Sequence, residues 1–138
     1  MTLPTASRPA VHRRQDPAGL AERAIAIVGA ALVWAHVADE VRIGEWIALP
    51  AGFVTLALVA QWRRLRPSWR GTGALLLGLL WAAGALQYPV IPLLQGGATW
   101  QNVSGLRQLL GGVTLAVLGV RVLLSRRFAR GPVEPGRW

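Results

Sequence analysis

The sequence predicts an all-α fold, a bundle of four transmembrane helices with both termini in the cytoplasm. Hydrophobic residues make up 53% of the 138 residues, and the mean hydropathy is +0.40. Only 15% of the residues are charged, against roughly 25% in ordinary soluble domains. Four apolar segments, each near the roughly 20 residues that a bilayer requires, account for this composition. So few charges could not cover a soluble surface unless these segments lie in lipid.

The first helix is predicted over residues 17–41. Asp16 is suited to the N-cap and Pro17 to the first helical position, ahead of the apolar run at 24–38. No apolar stretch typical of a cleaved signal peptide precedes it. The predicted domains are a disordered basic cytoplasmic tail at 1–16, a transmembrane domain at 17–125 and a basic cytoplasmic tail at 126–138.

The three later helices are predicted at 43–62, 72–94 and 103–124. Pro50 lies inside the second, which predicts a kink or a later start, since membrane helices tolerate proline. Pro89 and Pro92 are expected to kink or break the last turns of the third. Asn102 or Ser104 is the predicted N-cap of the fourth.

The arginines predict the orientation. All 15 basic residues are arginine, and twelve fall in the two tails, at the start of the first helix or in the loop between the second and third helices. The loop between the first two helices carries only Arg42 with three acidic residues. The positive-inside rule therefore places both tails and the middle loop in the cytoplasm, with Trp62 and Trp69 in the inner aromatic belt.

This pattern also predicts partners and location. A net charge of +9 could suggest nucleic acid, but arginine blocks between apolar segments favour anionic lipid headgroups instead. We expect a multi-pass protein of the plasma membrane and no nucleic-acid partner. The lysine-free composition, rich in Ala, Gly, Leu and Arg, favours a bacterial inner membrane. The absence of cysteine excludes disulfides and thiolate chemistry.

Polar residues collect at the predicted outer end of the bundle. On the first helix, Asp39 and Glu40 follow His36 by three and four residues and so share its face. The other predicted members are Gln87 and Tyr88 on the third helix, Arg107 and Gln108 on the fourth, and Glu45 in the first loop. Polar groups inside a membrane are costly, so this set is the candidate functional site.

The residue types suggest several chemistries. The catalytic candidates are His36, Glu40 and Arg107, and the ligand-binding candidates are Asp39, Gln87, Tyr88 and Gln108. A metal ion would take His36, Glu40 and a third ligand such as Glu45 or Asp39, because imidazole and carboxylate ligands suit zinc, iron or manganese. His36 could instead exchange protons near neutral pH. Alternatively, Arg107 forms a structural ion pair with Asp39 or Glu40, or the two carboxylates simply meet water at the helix end.

Helix packing is predicted from a second pattern. Arg107, Gly111, Thr114, Leu118 and Arg121 follow helical spacing and predict one inward face on the fourth helix. The small residues Gly29, Gly111 and Gly112 are expected to let helix backbones approach closely.

Three classes of function remain open. The first is an accessory or structural role, in which the chain binds other membrane proteins or a second copy of itself. The second is a membrane-embedded enzyme or metal protein that uses the polar cluster, and the third is a small carrier or channel. We rank transport last, because few polar residues continue toward the predicted inner side.

Overall fold

A computed structural model describes residues 17–86, 95–96 and 100–129, and every regular element in these ranges is a helix. The four helices are α1 (Pro17–Arg42), α2 (Leu49–Ala60), α3 (Pro67–Ala85) and α4 (Trp100–Ala129). The described part contains no strand. The predicted all-α class is therefore confirmed.

The first helix ends as its sequence dictates. Gly44 adopts a φ of +86°, a conformation that favours glycine, and its N–H donates to Val41 O. The Glu45 N–H donates to Glu40 O at 2.9 Å, which completes a Schellman C-cap. The chain therefore turns sharply after Arg42.

Three helices begin at other residues than predicted, and the fourth also ends later, at Ala129 rather than 124. The second helix begins at Leu49 rather than 43, which is the later start that Pro50 predicted as one of two outcomes; the turn at Gly44 intervenes, and proline is well suited to the first helical turn. The third begins at Pro67 rather than 72, after Arg66 with an extended ψ of 141°. The fourth begins at Trp100, so neither Asn102 nor Ser104 is its N-cap. The predicted end of the third helix, 87–94, lies outside the described residues.

The α3–α4 pair is the tightest contact of the bundle, and small residues allow it. An added Cβ at Gly119 would lie 2.5 Å from the backbone nitrogen of Leu75, and one at Gly112 would lie 2.6 Å from that of Ala82. The contacts run in opposite directions along the two helices, which are therefore antiparallel. Small residues on facing helices permit this approach of backbone to backbone.

Helix α1 packs on another side of α4, also antiparallel to it. An added Cβ at Gly29 would lie 3.0 Å from Leu115 Cγ, and one at Gly111 would lie 2.8 Å from the carbonyl oxygen of Gly29. The predicted close approach at Gly29, Gly111 and Gly112 is thus confirmed. Since α1 and α3 both oppose α4, they run parallel to each other.

Helix α2 is attached through indole hydrogen bonds. Trp34 Nε1 on α1 donates to Gly52 O at 3.1 Å, and Trp81 Nε1 on α3 donates to Thr55 Oγ1 at 3.0 Å. The Thr55 hydroxyl in turn donates to Ala51 O. The indole N–H groups of Trp34 and Trp81 and the hydroxyl of Thr55 thus lie inside the bundle and have hydrogen-bond partners there.

Two apolar clusters form the core. The one near the polar end contains Val33, Val37, Trp81 and Leu115, and the other contains Ala26, Trp62, Ala74, Leu118 and Val122. Trp62 is only 1% exposed, and its predicted level in an aromatic belt stays a prediction. The ring packs between helices, because Ala26 and Ala74 leave room for it.

Candidate functional site

His36 is the buried centre of the polar cluster. Its Nδ1 shares a 3.0 Å hydrogen bond with Ser104 Oγ on α4, and both residues are buried. The Trp81 ring stands edge-on to the imidazole, with ring centroids 6.2 Å apart. The imidazole is thus held by α1, α3 and α4 together.

Glu40 approaches the same imidazole nitrogen. Its Oε1 lies 3.9 Å from His36 Nδ1, one helical turn away. This distance is too long for a hydrogen bond, and the contact becomes an ion pair only when the imidazole is protonated. Ser104 is therefore the direct partner of His36, and Glu40 is its neighbour.

Asp39 and Arg107 form the second link between α1 and α4. Arg107 Nη1 donates to Asp39 Oδ2 at 3.1 Å, and the arginine side chain is 46% exposed. The predicted inward face of α4 is correct for Gly111 and Leu118 but wrong for Arg107 and Arg121, which are exposed. Long arginine side chains extend to the rim of a bundle more easily than they bury a charge.

Gln108 faces the inside of the bundle, where its neighbour Arg107 was predicted to lie. It is 8% exposed, and an added Cβ at Gly84 would lie 2.9 Å from Gln108 Nε2. The Gln108 amide therefore sits against α3. The absence of a side chain at Gly84 is what makes room for it.

The remaining predicted members are only partly placed. Glu45 is exposed, and its backbone bond to Glu40 O keeps it close to that residue. Gln87 and Tyr88 lie outside the described residues. Within the described part of the chain, no three His, Asp or Glu residues form a group that could hold a metal ion.

Ser104 is the site residue that the sequence prediction missed. It was assigned to a helix cap, yet it lies inside α4 and shares a hydrogen bond with His36. Spacing could have found it, because Ser104 precedes Arg107 by three residues and Gln108 by four. That spacing places it on the polar face of α4.

These features define an all-helical chain whose described part contains four helices and a polar cluster that joins α1 to α4. Two of these helices, over Ala18–Arg42 and Val103–Ser125, are long and apolar enough to cross a membrane. No family model, no curated protein and no solved structure matches the chain.

Proposed function

We propose that the protein is a small multi-pass membrane protein with four spans and cytoplasmic termini, and that it serves as an accessory subunit that binds partners within the bilayer. The observation that carries the proposal is that several polar side chains are buried while many large apolar side chains are exposed. Polar His36, Thr55, Ser104 and Gln108 are buried, whereas large apolar side chains are exposed on all four helices.

Exposed apolar side chains also support a membrane location for α2 and α3, although α2 itself has 12 residues, fewer than the roughly 20 that cross a bilayer. They include Ile27 and Val28 on α1, Phe53 and Val54 on α2, Leu76, Leu79 and Leu80 on α3, and Val113, Val117 and Val120 on α4. A soluble monomer rarely exposes contiguous apolar surface of this extent. Lipid contact on every side explains it.

The accessory role is supported by how the polar cluster uses its own groups. His36 pairs with Ser104, and Asp39 pairs with Arg107, so the principal polar contacts fasten α1 to α4. Elsewhere, α3 and α4 border an apolar groove of about 560 Å³. Its lining residues are Leu75, Leu79, Ala116, Val117, Val120, Arg121, Leu124 and Ser125. We assign this groove to a partner in the membrane.

Single cysteines test the proposed topology, because the chain has none of its own. We expect Ile47→Cys, at a site that is 90% exposed, to react with a membrane-impermeant maleimide in intact cells. Ser68→Cys should react only after permeabilisation, since Ser68 is exposed in the first turn of α3, directly after the arginine-rich middle loop. The cysteine-free protein is the control. Labelling of Ser68→Cys in intact cells would contradict the proposed orientation, and release of the chain by carbonate would contradict membrane insertion.

A metal-dependent function is the second candidate, because Glu40 lies 3.9 Å from His36. Elemental analysis of the detergent-purified protein, beside the His36→Ala variant, separates the two. We expect no stoichiometric metal in the wild type, since the described residues gather too few ligands. A metal present in the wild type and absent from the variant would replace the accessory role with the metal-dependent one.

A further inference from the structure

Three buried N–H donors lie at the end of the bundle opposite His36, and none has an acceptor among the described residues. They are Nε of Arg23 on α1, Nε1 of Trp62 after α2, and Nε of Arg70 on α3. Buried donors in native proteins are almost always paired, because an unpaired one is strongly unfavourable. Three such donors at one end of a small bundle indicate a site for an acceptor.

The three donors belong to residues that the helix packing brings to the same end of the bundle. Trp62 forms one core cluster with Ala26 and Ala74. Arg23 precedes Ala26 by three residues and Arg70 precedes Ala74 by four, so each arginine lies one turn earlier on the same helix face. Since α1 and α3 are parallel, both arginines lie on the same side of the Trp62 ring. We call Arg23, Trp62 and Arg70 the basic site.

The surroundings favour an anion. Exposed Arg63, Arg64 and Arg66 lie in the adjoining loop, and among the described residues Glu22 is the only acidic residue at this end. The first turn of α3 carries no acidic residue, and its N-cap makes no side-chain bond. The N-terminus of α3 therefore adds positive potential to that of the arginines.

We propose that the basic site binds the phosphate group of an anionic phospholipid in the cytoplasmic leaflet. This inference rests on the membrane placement proposed above. A phosphate suits the site because its oxygens accept hydrogen bonds from several directions, and guanidinium groups bind it through paired N–H donors. The lipid source is favoured because exposed Leu20 and Trp69 flank the arginines and can contact acyl chains.

Lipid titration of the full chain, followed by native mass spectrometry from detergent, tests the site. Both lipids carry a phosphate, but the arginines repel the choline ammonium, so we expect the wild type to bind one phosphatidylglycerol at least about tenfold more tightly than phosphatidylcholine. The Arg23→Gln/Arg70→Gln variant should lose that preference. Its matched control, Arg63→Gln/Arg64→Gln, removes the same charge from exposed positions and should keep it. Equal losses in the two double variants, or no preference in the wild type, would overturn the proposal.

The Trp62→Phe variant removes the indole N–H but keeps an aromatic ring. It therefore tests the hydrogen bond separately from the packing of the ring. We expect phosphatidylglycerol to bind at least about tenfold more weakly, because one hydrogen bond to a charged group is lost. Thermal stability without lipid should not fall, because the variant removes a buried donor that lacks an acceptor. Unchanged lipid binding in this variant would remove Trp62 from the site and contradict the proposal.

A competition arm identifies the source of the phosphate. Glycerol phosphate and inorganic phosphate, at the same concentration as the lipid, should not displace phosphatidylglycerol. Displacement by either would reassign the basic site to a soluble phosphate and overturn the lipid proposal. Cysteine labelling reports on topology independently, so failure of the lipid site and failure of the four-span proposal can be told apart.

Discussion

Replacing Gly78 by alanine is expected to lower the free energy of unfolding by about 3 kcal/mol, near the upper end of ordinary overpacking effects. The added Cβ would overlap the backbone nitrogen of Ala116 and lie 2.5 Å from Gly112 O. Both obstacles are backbone atoms of α4, so no side-chain rotation relieves them. The helices would have to separate, and the contacts of the tightest pair would be lost.

Gly73→Ala is the matched control on the same helix. Its Cβ would meet only the flexible end of Leu58, at 3.0 Å, so we expect less than about 1 kcal/mol of change. Unfolding of the purified variants by sodium dodecyl sulfate, monitored by circular dichroism, measures the difference. Equal stability of the Gly78 and Gly73 variants would mean that α3 and α4 do not approach as described.

The second large effect is expected at His36. His36→Ala removes a buried ring that contacts three helices, and we expect a loss of about 3 kcal/mol from the cavity and from the unpaired Ser104 hydroxyl. If the polar cluster fastens α1 to α4, the loss appears in unfolding measurements even when no ligand is present. A stability close to the wild type would contradict the structural role.

A double-mutant cycle with Ser104→Ala isolates the hydrogen bond. Hydrogen bonds between membrane helices are typically worth about 0.6–1.7 kcal/mol, so we expect a coupling of about 1 kcal/mol between His36 and Ser104. Ser125→Ala is the control, because its hydroxyl bonds only within α4, to Val122 O. Its coupling to His36→Ala should be near zero. Similar coupling energies for both serines would show that the His36–Ser104 hydrogen bond does not itself stabilise the fold.

The spacing of residues in the sequence was enough to predict part of the polar cluster. His36, Asp39 and Glu40 share a helix face whatever the fold, and an arginine near the start of α4 predicts an ion pair with one of the carboxylates. The pair with Asp39 is present. Which of Arg107 and Gln108 turns inward depends on how α4 is rotated against α1 and α3. That rotation is a property of the packed bundle, so sequence spacing predicted the wrong residue.

Helix ends were predicted correctly only where the local signals for helix starts and stops were taken into account. The late start of α2 was one of two outcomes predicted from Pro50, and it is the one observed. The turn at Gly44 was missed, although a glycine directly after an apolar helix is a common C-cap. The early start of α3 was missed as well, although Pro67 suits a first helical turn.

The sequence by itself determined the helical class and where apolar segments and arginine blocks lie along the chain, because hydrophobic content and local backbone preferences act over a few residues. Tertiary structure alone decided the contacts between distant segments. It brought Ser104 to His36, buried Trp62 in the core, and set Gly78 against Ala116. These contacts depend on how helix surfaces fit one another, since backbone approach and ring burial require complementary shapes from residues far apart in the chain.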